Sequence, residues 1–335
     1  MSGWRSFLRA DPSDWLLEDS NPSVAYATRV ELLGESPTGR RATKARKAIM
    51  VEGVVPSILA KETRGSWNQP GKHYTEKYRG TVWQLLVLAE HYADGSHPGI
   101  RAACNYILGC SQDLESGGFS VETAIRTGGG RHSGVIPCLT GNMVWSLARL
   151  GFVGDPRLDA GIEWITKFQR FDDGVASVPV GWPYDRFEMC WGRHTCHMGA
   201  AKALKALAIL PKSRRTPQVE DTVQRGAEYF LIHHVFKKSH DLKQTAKPGW
   251  RCFQFPLMYQ TDALEVTGTL LDLGYKDNRL QDAVDLILSK QDPAGRWSLE
   301  ATFNGRFQVN VETKGKPSKW ITLGALKVLK GYFGE

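Results

Sequence analysis

The stretch ILSKQDPAGRW, residues 287–297, and its counterpart ILAKETRGSW, residues 58–67, share one pattern. In both, an apolar helix end leads into a polar turn that closes on Gly-x-Trp. The stretches ILGCSQDLESGGF (107–119) and ITKFQRFDDGV (165–175) repeat it, and a degenerate fifth copy covers 229–240. Such internal repeats mark a supersecondary unit that is used several times. The sequence therefore predicts an array of similar helix pairs.

A second apolar helix is expected after each turn, beyond a long polar loop. Apolar residues recur there at steps of three and four, and most of these segments end with Gly or Pro. The expected second helices cover 23–34, 80–92, 138–151, 196–210, 261–274 and 318–331. The expected first helices cover 45–60, 100–110, 158–169, 219–236 and 279–290, with 4–18 as a sixth.

The two ends of the array are as apolar as its middle, as in WLLE (15–18) and WITLGALKVL (320–329). An open array of helix pairs would need polar capping repeats. Closing the array into a ring buries both ends instead. The fold class predicted is therefore all-α, an α6/α6 toroid, with the second helices as the inner ring and residues 1–335 as one domain.

Loop length predicts where a functional site lies on this ring. The loops after the first helices are long, at 61–78, 111–137, 170–195, 237–257 and 291–317, whereas the turns after the second helices are short. Long loops without their own secondary structure are usually binding or catalytic. The same end carries the N-termini of the inner helices, whose dipoles favour anions and thiolates.

Cysteines and histidines gather at this predicted mouth. Cys138 and Cys196 open consecutive inner helices, and Cys190 and His194 lie just before the second of them. Thiolate and neutral imidazole are the ligands that zinc prefers. The sequence therefore predicts a zinc site with Cys138, Cys190, His194 and Cys196 as candidate ligands. The remaining cysteines, 104, 110 and 252, are expected to be small buried apolar residues.

Further polar residues fall at the same mouth. His197, Asp262 and Tyr259 are candidate catalytic groups, with helix capping as the alternative for His197 and for Asp262. Four others are candidates for holding an anionic group of the substrate, with a solvated surface charge as the alternative for each: Arg79, His132, Arg193 and Lys319.

The Q-x-x-x-G-x-W copies resemble those of the squalene cyclase and protein prenyltransferase superfamily, which is built on α6/α6 toroids. His-Thr-Cys at 194–196 is similar to the prenyltransferase beta-subunit motif whose histidine binds zinc, and the resemblance implies that role for His194. Cys138 is similar to the zinc cysteine of that family's D-x-C motif, although Ile136 stands at the aspartate position. Cys196-His197 also resembles the Cys-His pair of lanthionine synthetase cyclases.

These residues leave several functions open. The first is a zinc enzyme whose bound water hydrolyses a small ester or phosphoester; zinc-activated alkyl or prenyl transfer to a thiol is the variant that the resemblance implies. The others are a metal-free Cys/His lyase or isomerase and a structural zinc in a ligand- or partner-binding ring. A small-molecule substrate is expected in the enzymatic cases.

Composition and charge limit the classes of partner that we expect for this protein. The net charge of +8 comes from scattered basic residues without a stacked-aromatic module, so no nucleic-acid partner is expected. No apolar run approaches the roughly 20 residues that span a bilayer. The N-terminus lacks the apolar region of a signal peptide, and a cytoplasmic location is expected.

Overall fold

A computed structural model describes residues 3–334 and arranges their helices in two concentric layers. Helices and strands are numbered here in chain order. The inner layer holds α2 (Pro22–Ala27, continued by a π-helical turn, Thr28–Leu32), α5 (Thr81–Glu90), α7 (Pro137–Leu147), α10 (His197–Ala208), α12 (Ala263–Asp272) and α14 (Lys319–Phe333). These match the six second helices that were predicted.

The outer layer is formed by the first helices of the pairs. It holds α3 (Arg40–Ile49), α4 (Val54–Leu59), α6 (Pro98–Cys110), α8 (Pro156–Phe168), α11 (Pro217–Ile232) and α13 (Gln281–Ser289). Short helices α1 (Ser13–Leu16) and α9 (Glu188–Trp191) complete the α-helices of the described residues, and the short strands are β1 (Lys237–Lys238), β2 (Asp241–Thr245), β3 (Trp297–Ser298) and β4 (Pro317–Ser318).

Contacts between the first and last inner helices close the ring. Lys327 Nζ of α14 lies 2.6 Å from Glu31 Oε2, in the turn that continues α2. Farther along, Lys330 Nζ donates to Leu32 O at 2.9 Å. On the other side of α2, Ser23 Oγ donates to the His91 carbonyl just after α5. The predicted α/α toroid is therefore confirmed.

Two of the predicted outer helices differ from the structure. The helix expected over 45–60 is two helices, because the chain turns at Gly53, whose φ of 78° suits glycine. Residues 4–18 do not form one helix; they contribute a 3₁₀ turn, Trp4–Phe7, and the short α1.

A recurring hydrogen bond explains why the Gly-x-Trp turns dock where they do. The backbone N–H of Trp67 donates to Thr81 Oγ1, and the N–H of Trp297 donates to Thr322 Oγ1. Each threonine lies in the first turns of the next inner helix. Both indole N–H groups donate back to the last turn of the outer helix, at Ile58 O and Ile287 O. Each copy of the repeat thus ties an outer helix to its inner partner.

The two ends of the ring are unlike. At the long-loop end, the loop before α12 enters the ring, and Asn142 Nδ2 of α7 donates to Met258 O at 3.0 Å. Phe255 of this loop stacks on Trp320 with ring centroids 4.4 Å apart. The loop therefore closes the long-loop end. Across residues 3–334, no helix has the length and apolar character needed to cross a bilayer.

Replacing Thr322 tests whether its hydrogen bond with Trp297 stabilises the packing of the repeat. In Thr322→Val, the buried N–H of Trp297 loses its acceptor, and we expect a loss of about 1–3 kcal/mol in the free energy of unfolding. Urea unfolding followed by circular dichroism measures it. The exposed Thr313→Val is the control; equal stability of the two variants would contradict the anchoring role.

Candidate functional site

The inner helices enclose a cavity of about 790 Å³, called here the central cavity. Its volume is typical of small-molecule sites. Its walls come mainly from the C-terminal halves of the inner helices, so it opens at the short-turn end. Its lining includes Glu31, Glu90, Tyr92, Trp145, Arg149, Lys205, Phe255, Asp262, Glu265, Asp272, Lys276, Trp320 and Lys327. The central cavity thus opens at the end opposite to the predicted mouth.

Helix α12 supplies an acidic stripe to this cavity. Asp262, Glu265 and Asp272 are separated by three and seven residues, which places them on one face of a helix. All three line the central cavity. The same face carries Gly268, and a Cβ there would meet only Val328 Cγ2, at 3.8 Å. The acidic stripe therefore faces open space in the central cavity.

A lysine bridges two carboxylates across the ring. Lys205 Nζ of α10 lies 2.6 Å from Glu90 Oε1 of α5 and 3.0 Å from Glu265 Oε1 of α12. It also lies 4.0 Å from the ring centroid of Trp145 in α7, the helix between α5 and α10. Lys202 Nζ reaches Glu265 Oε2 at 2.7 Å. Burial disfavours the Glu265 carboxylate, but Lys202 and Lys205 outweigh it and lower its pKa to about 2.

A second ionic group occupies the open rim of the cavity. Glu31 accepts from Lys327 Nζ and from the Tyr92 hydroxyl, both at 2.6 Å. The Arg149 guanidinium lies 3.9 Å from Glu31 and 4.2 Å from the Tyr92 ring centroid. Burial works against the Glu31 carboxylate, yet these donors leave its pKa below the ordinary value. Glu31 is therefore ionised at neutral pH.

Asp272 differs from the other carboxylates of the cavity in its hydrogen bonding and ion pairing. Within residues 3–334, its oxygens have neither a hydrogen-bond donor nor an ion-pair partner. Enclosure by the cavity walls raises its pKa, and the charge of Glu31 adds to the rise, against the cations Lys327 and Lys205. The side chain is nevertheless exposed to solvent. Asp272 therefore offers an accessible carboxyl group whose pKa is shifted upward, whereas the pKa values of Glu31 and Glu265 are shifted downward.

Asp262 lies at the closed base of the same cavity. Its Oδ1 accepts from the backbone N–H of Glu265 and its Oδ2 from that of Gln254. It thus caps α12, which was one of the two roles considered for it. Burial raises its pKa to about 7. Because both oxygens are occupied and the residue is 1% exposed, Asp262 positions α12 and the entering loop.

Three of the candidate zinc ligands lie near one another at the long-loop end. Burial raises the pKa of Cys138 strongly, and the thiols of Cys190 and Cys196 are near enough to raise it further. Burial likewise raises the pKa of Cys190 to about 12, with a contribution from Cys196. Cys138 and Cys190 are therefore thiols at neutral pH, and no disulfide joins the three cysteines.

His194 does not join these thiols. Its Nδ1 lies 3.1 Å from Asp173 Oδ1, and its side chain is 62% exposed. Within residues 3–334, no three His, Cys, Asp or Glu side chains are placed to hold one metal ion. The predicted ligands as arranged therefore do not fit a zinc site, and metal analysis of the purified protein remains the test of that prediction.

The predicted catalytic residues His197 and Tyr259 lie away from the central cavity. His197 Nδ1 lies 2.9 Å from the Tyr229 hydroxyl, and burial lowers the pKa of His197 to about 3. Tyr259 stacks on Tyr78 at 6.4 Å between ring centroids, and burial raises its pKa to about 12. Neither of them is among the lining residues of the cavity, whereas Asp262 is.

The four predicted anion-binding residues are dispersed. Lys319 Nζ pairs with Glu18 Oε2 at 2.9 Å. His132 Nδ1 contacts Asp113 at 2.7 Å while its ring stacks on Trp182. Arg193 Nε donates to a carbonyl, that of Val175. Arg79 is exposed in a separate cleft at the long-loop end.

Apart from Asp262, the charged residues of the central cavity were not among the predicted site residues. The available signal was charge on the apolar inner helices, as at Lys202 and Lys205 in CHMGAAKALKALAIL. Charges at such spacing are also typical of a solvated helix face. Only the closed ring shows that the inner helices turn them towards a shared cavity.

No family model and no curated protein matches the sequence. The solved structure of an unsaturated glucuronyl hydrolase specific for heparin is similar over 96% of this chain and 86% of its own, with 14% identity and a TM-score of 0.40. A match at this level says nothing about what this chain binds or transforms.

The pH dependence of stability tests the bridge at Glu265. A carboxylate whose pKa falls from 4.5 to about 2 on folding stabilises the protein above about pH 4.5, and this stabilisation is lost as the pH falls towards 2. We therefore expect Glu265→Gln to lose about 3 kcal/mol near neutral pH, with the gap to the wild type narrowing in acid.

Urea unfolding of both proteins at several pH values measures this gap. Glu163→Gln, which changes an exposed glutamate of α8, serves as the matched control and should show little difference at any pH. A Glu265→Gln gap that stays constant down to about pH 2 would show that the carboxylate is not held ionised by its lysines.

Proposed function

We propose that this protein is a hydrolase that binds a small polar substrate in the central cavity, with Asp272 as the general acid and Glu31 as the general base. The observation that carries the proposal is the contrast between these carboxyl groups. Glu31 is held ionised by Lys327 and Tyr92, whereas Asp272 has no hydrogen-bond or ion-pair partner among the described residues and its pKa is raised. Two carboxyl groups whose environments push their pKa values apart mark an acid and a base.

The two groups face one space. Both line the central cavity, and the charge of Glu31 contributes to the raised pKa of Asp272. Lys327 neighbours both, because it pairs with Glu31 and also acts on Asp272. A substrate that enters from the short-turn end therefore meets a proton donor on α12 and a proton acceptor beside α2.

Hydrolysis follows from these roles in one displacement. The protonated Asp272 gives its proton to the leaving oxygen of the substrate as that bond to carbon breaks. Glu31 takes a proton from a water molecule, whose oxygen forms the new bond to the same carbon. The product alcohol and the hydrated fragment leave, and proton exchange with solvent returns Asp272 to its acid form and Glu31 to its carboxylate.

The cavity walls favour a polar substrate with one flat or apolar face. Trp145, Trp320 and Tyr92 supply aromatic surface, and Arg149, Lys276 and Lys327 supply charged donors. Flat rings that bind apolar surface, combined with convergent donors, suit a glycoside or a small ester. Hydrolysis of a small ester was also the leading prediction from the sequence, but here the carboxyl pair takes the place of a zinc-bound water.

Replacing each carboxyl group separately tests the proposed roles. We expect Asp272→Asn and Glu31→Gln each to lower kcat by about 10²- to 10⁴-fold, because each removes one proton-transfer group. The substrate is first found by screening the wild type against chromogenic glycosides and esters. The pH–rate profile should then lose its alkaline limb in Asp272→Asn and its acid limb in Glu31→Gln.

A matched control is Asp285→Asn, which changes an aspartate on the outer helix α13 and should leave kcat unchanged. Circular dichroism and thermal unfolding confirm that each variant is folded. Full activity of Asp272→Asn on a substrate that the wild type hydrolyses would refute the assignment, and so would equal loss in the control.

A further inference from the structure

A second cleft, separate from the central cavity, lies at the long-loop end of the ring. Two loop segments form it, residues 76–79 before α5 and residues 305–306 before α14, and it encloses about 460 Å³. Its lining side chains carry three cations and one carboxylate: Lys77, Arg79, Arg306 and Glu76. Among residues 3–334, the cleft shares no lining residue with the central cavity.

The three cations of this cleft have no carboxylate partner within residues 3–334. Two of them are held by aromatic rings instead. Lys77 Nζ lies 4.8 Å from the ring centroid of Tyr74 and 4.7 Å from that of Tyr259. The Arg306 guanidinium lies 5.1 Å from the centroid of Tyr78. Contact with an aromatic face fixes a cation in place without neutralising its charge.

Hydrogen bonds between the two segments hold the cleft in shape. The Tyr78 N–H donates to Arg306 O at 3.4 Å, and Gln308 Nε2 donates to Arg79 O at 3.1 Å. Phe303 packs on Tyr78 with 4.1 Å between ring centroids. The positive groups are thus carried on segments that are already joined, which lowers the conformational cost of binding a ligand.

The other charges and dipoles at the cleft leave its electrostatic potential positive. Its one carboxylate, Glu76, accepts from the backbone N–H of Gln69 at 3.2 Å and pairs with none of the three cations. Helix α5 begins at Thr81, two residues after Arg79, so the positive end of its dipole adds to the field. One negative charge against three positive ones leaves the cleft with an uncompensated charge of about +2.

We propose that this cleft binds an oxyanion of the phosphate class, carried by a small molecule. Arg79 and Arg306 supply planar guanidinium groups, which bind phosphate oxygens in pairs, and Lys77 supplies a point charge beside them. A diphosphate reaches more of the three cations than a monophosphate does, and it is expected to bind more tightly. The site is independent of the hydrolytic function proposed for the central cavity.

Isothermal titration with inorganic phosphate and with pyrophosphate tests the proposal on the full-length protein. We expect the wild type to bind pyrophosphate more tightly than phosphate, with an affinity that falls as salt rises. Arg79→Gln and Arg306→Gln should each weaken pyrophosphate binding by about tenfold or more, the effect of losing one charge-assisted hydrogen bond.

Two controls locate the binding site. Arg126→Gln changes an exposed arginine of another long loop, and Lys276→Gln changes a lining lysine of the central cavity. Neither should alter the affinity. The proposal is overturned if the wild type binds neither anion, if Arg79→Gln and Arg306→Gln bind as the wild type does, or if Lys276→Gln alone weakens binding. Thermal unfolding of each variant confirms that it is folded.

Discussion

The ammonium group of Lys205 joins three inner helices across the interior of this toroid. It contacts Glu90 and Glu265 from helices on either side of α10 and reaches Glu90 over the face of Trp145. Its side chain is 18% exposed, so its charge is largely removed from bulk water. Such a charge is tolerated only when partners surround it, and removing one partner is costly. The positions of α5, α10 and α12 are therefore coupled through a polar contact as well as through their apolar faces.

The same arrangement of charges explains why Asp272 differs from the other carboxyl groups of the cavity. Glu90 and Glu265 are paired by lysines, and Glu31 is paired by Lys327 and Tyr92. Within residues 3–334, Asp272 has no hydrogen-bond or ion-pair partner and lies in the field of these groups. The structural ion pairs and the proposed general acid thus belong to one set of charges. The closed base and open rim give the acid a single direction of approach, from the short-turn end.

Much of the architecture was predictable because the repeat is a local pattern. Each Gly-x-Trp turn follows an outer helix, and the three- and four-residue apolar steps marked the inner helices. The apolar ends of the helical array predicted that it closes into a ring. The site was harder to predict, because loop length pointed to the end where Cys138, Cys190 and Cys196 do gather. The charges of the cavity resemble a solvated face, and the loop around Phe255 that blocks the other end has no local signature. That His194 turns to Asp173 depends on tertiary contacts.

The claim on which this account depends most is that the charges of the cavity are desolvated and coupled across the ring. A double-mutant cycle on Lys205→Met and Glu90→Gln, read by urea unfolding, measures it directly. We expect a coupling free energy of about 1–3 kcal/mol between the two positions. Strictly additive effects would mean that water screens each charge separately, and the contrast between Asp272 and its neighbours would then lose its physical basis.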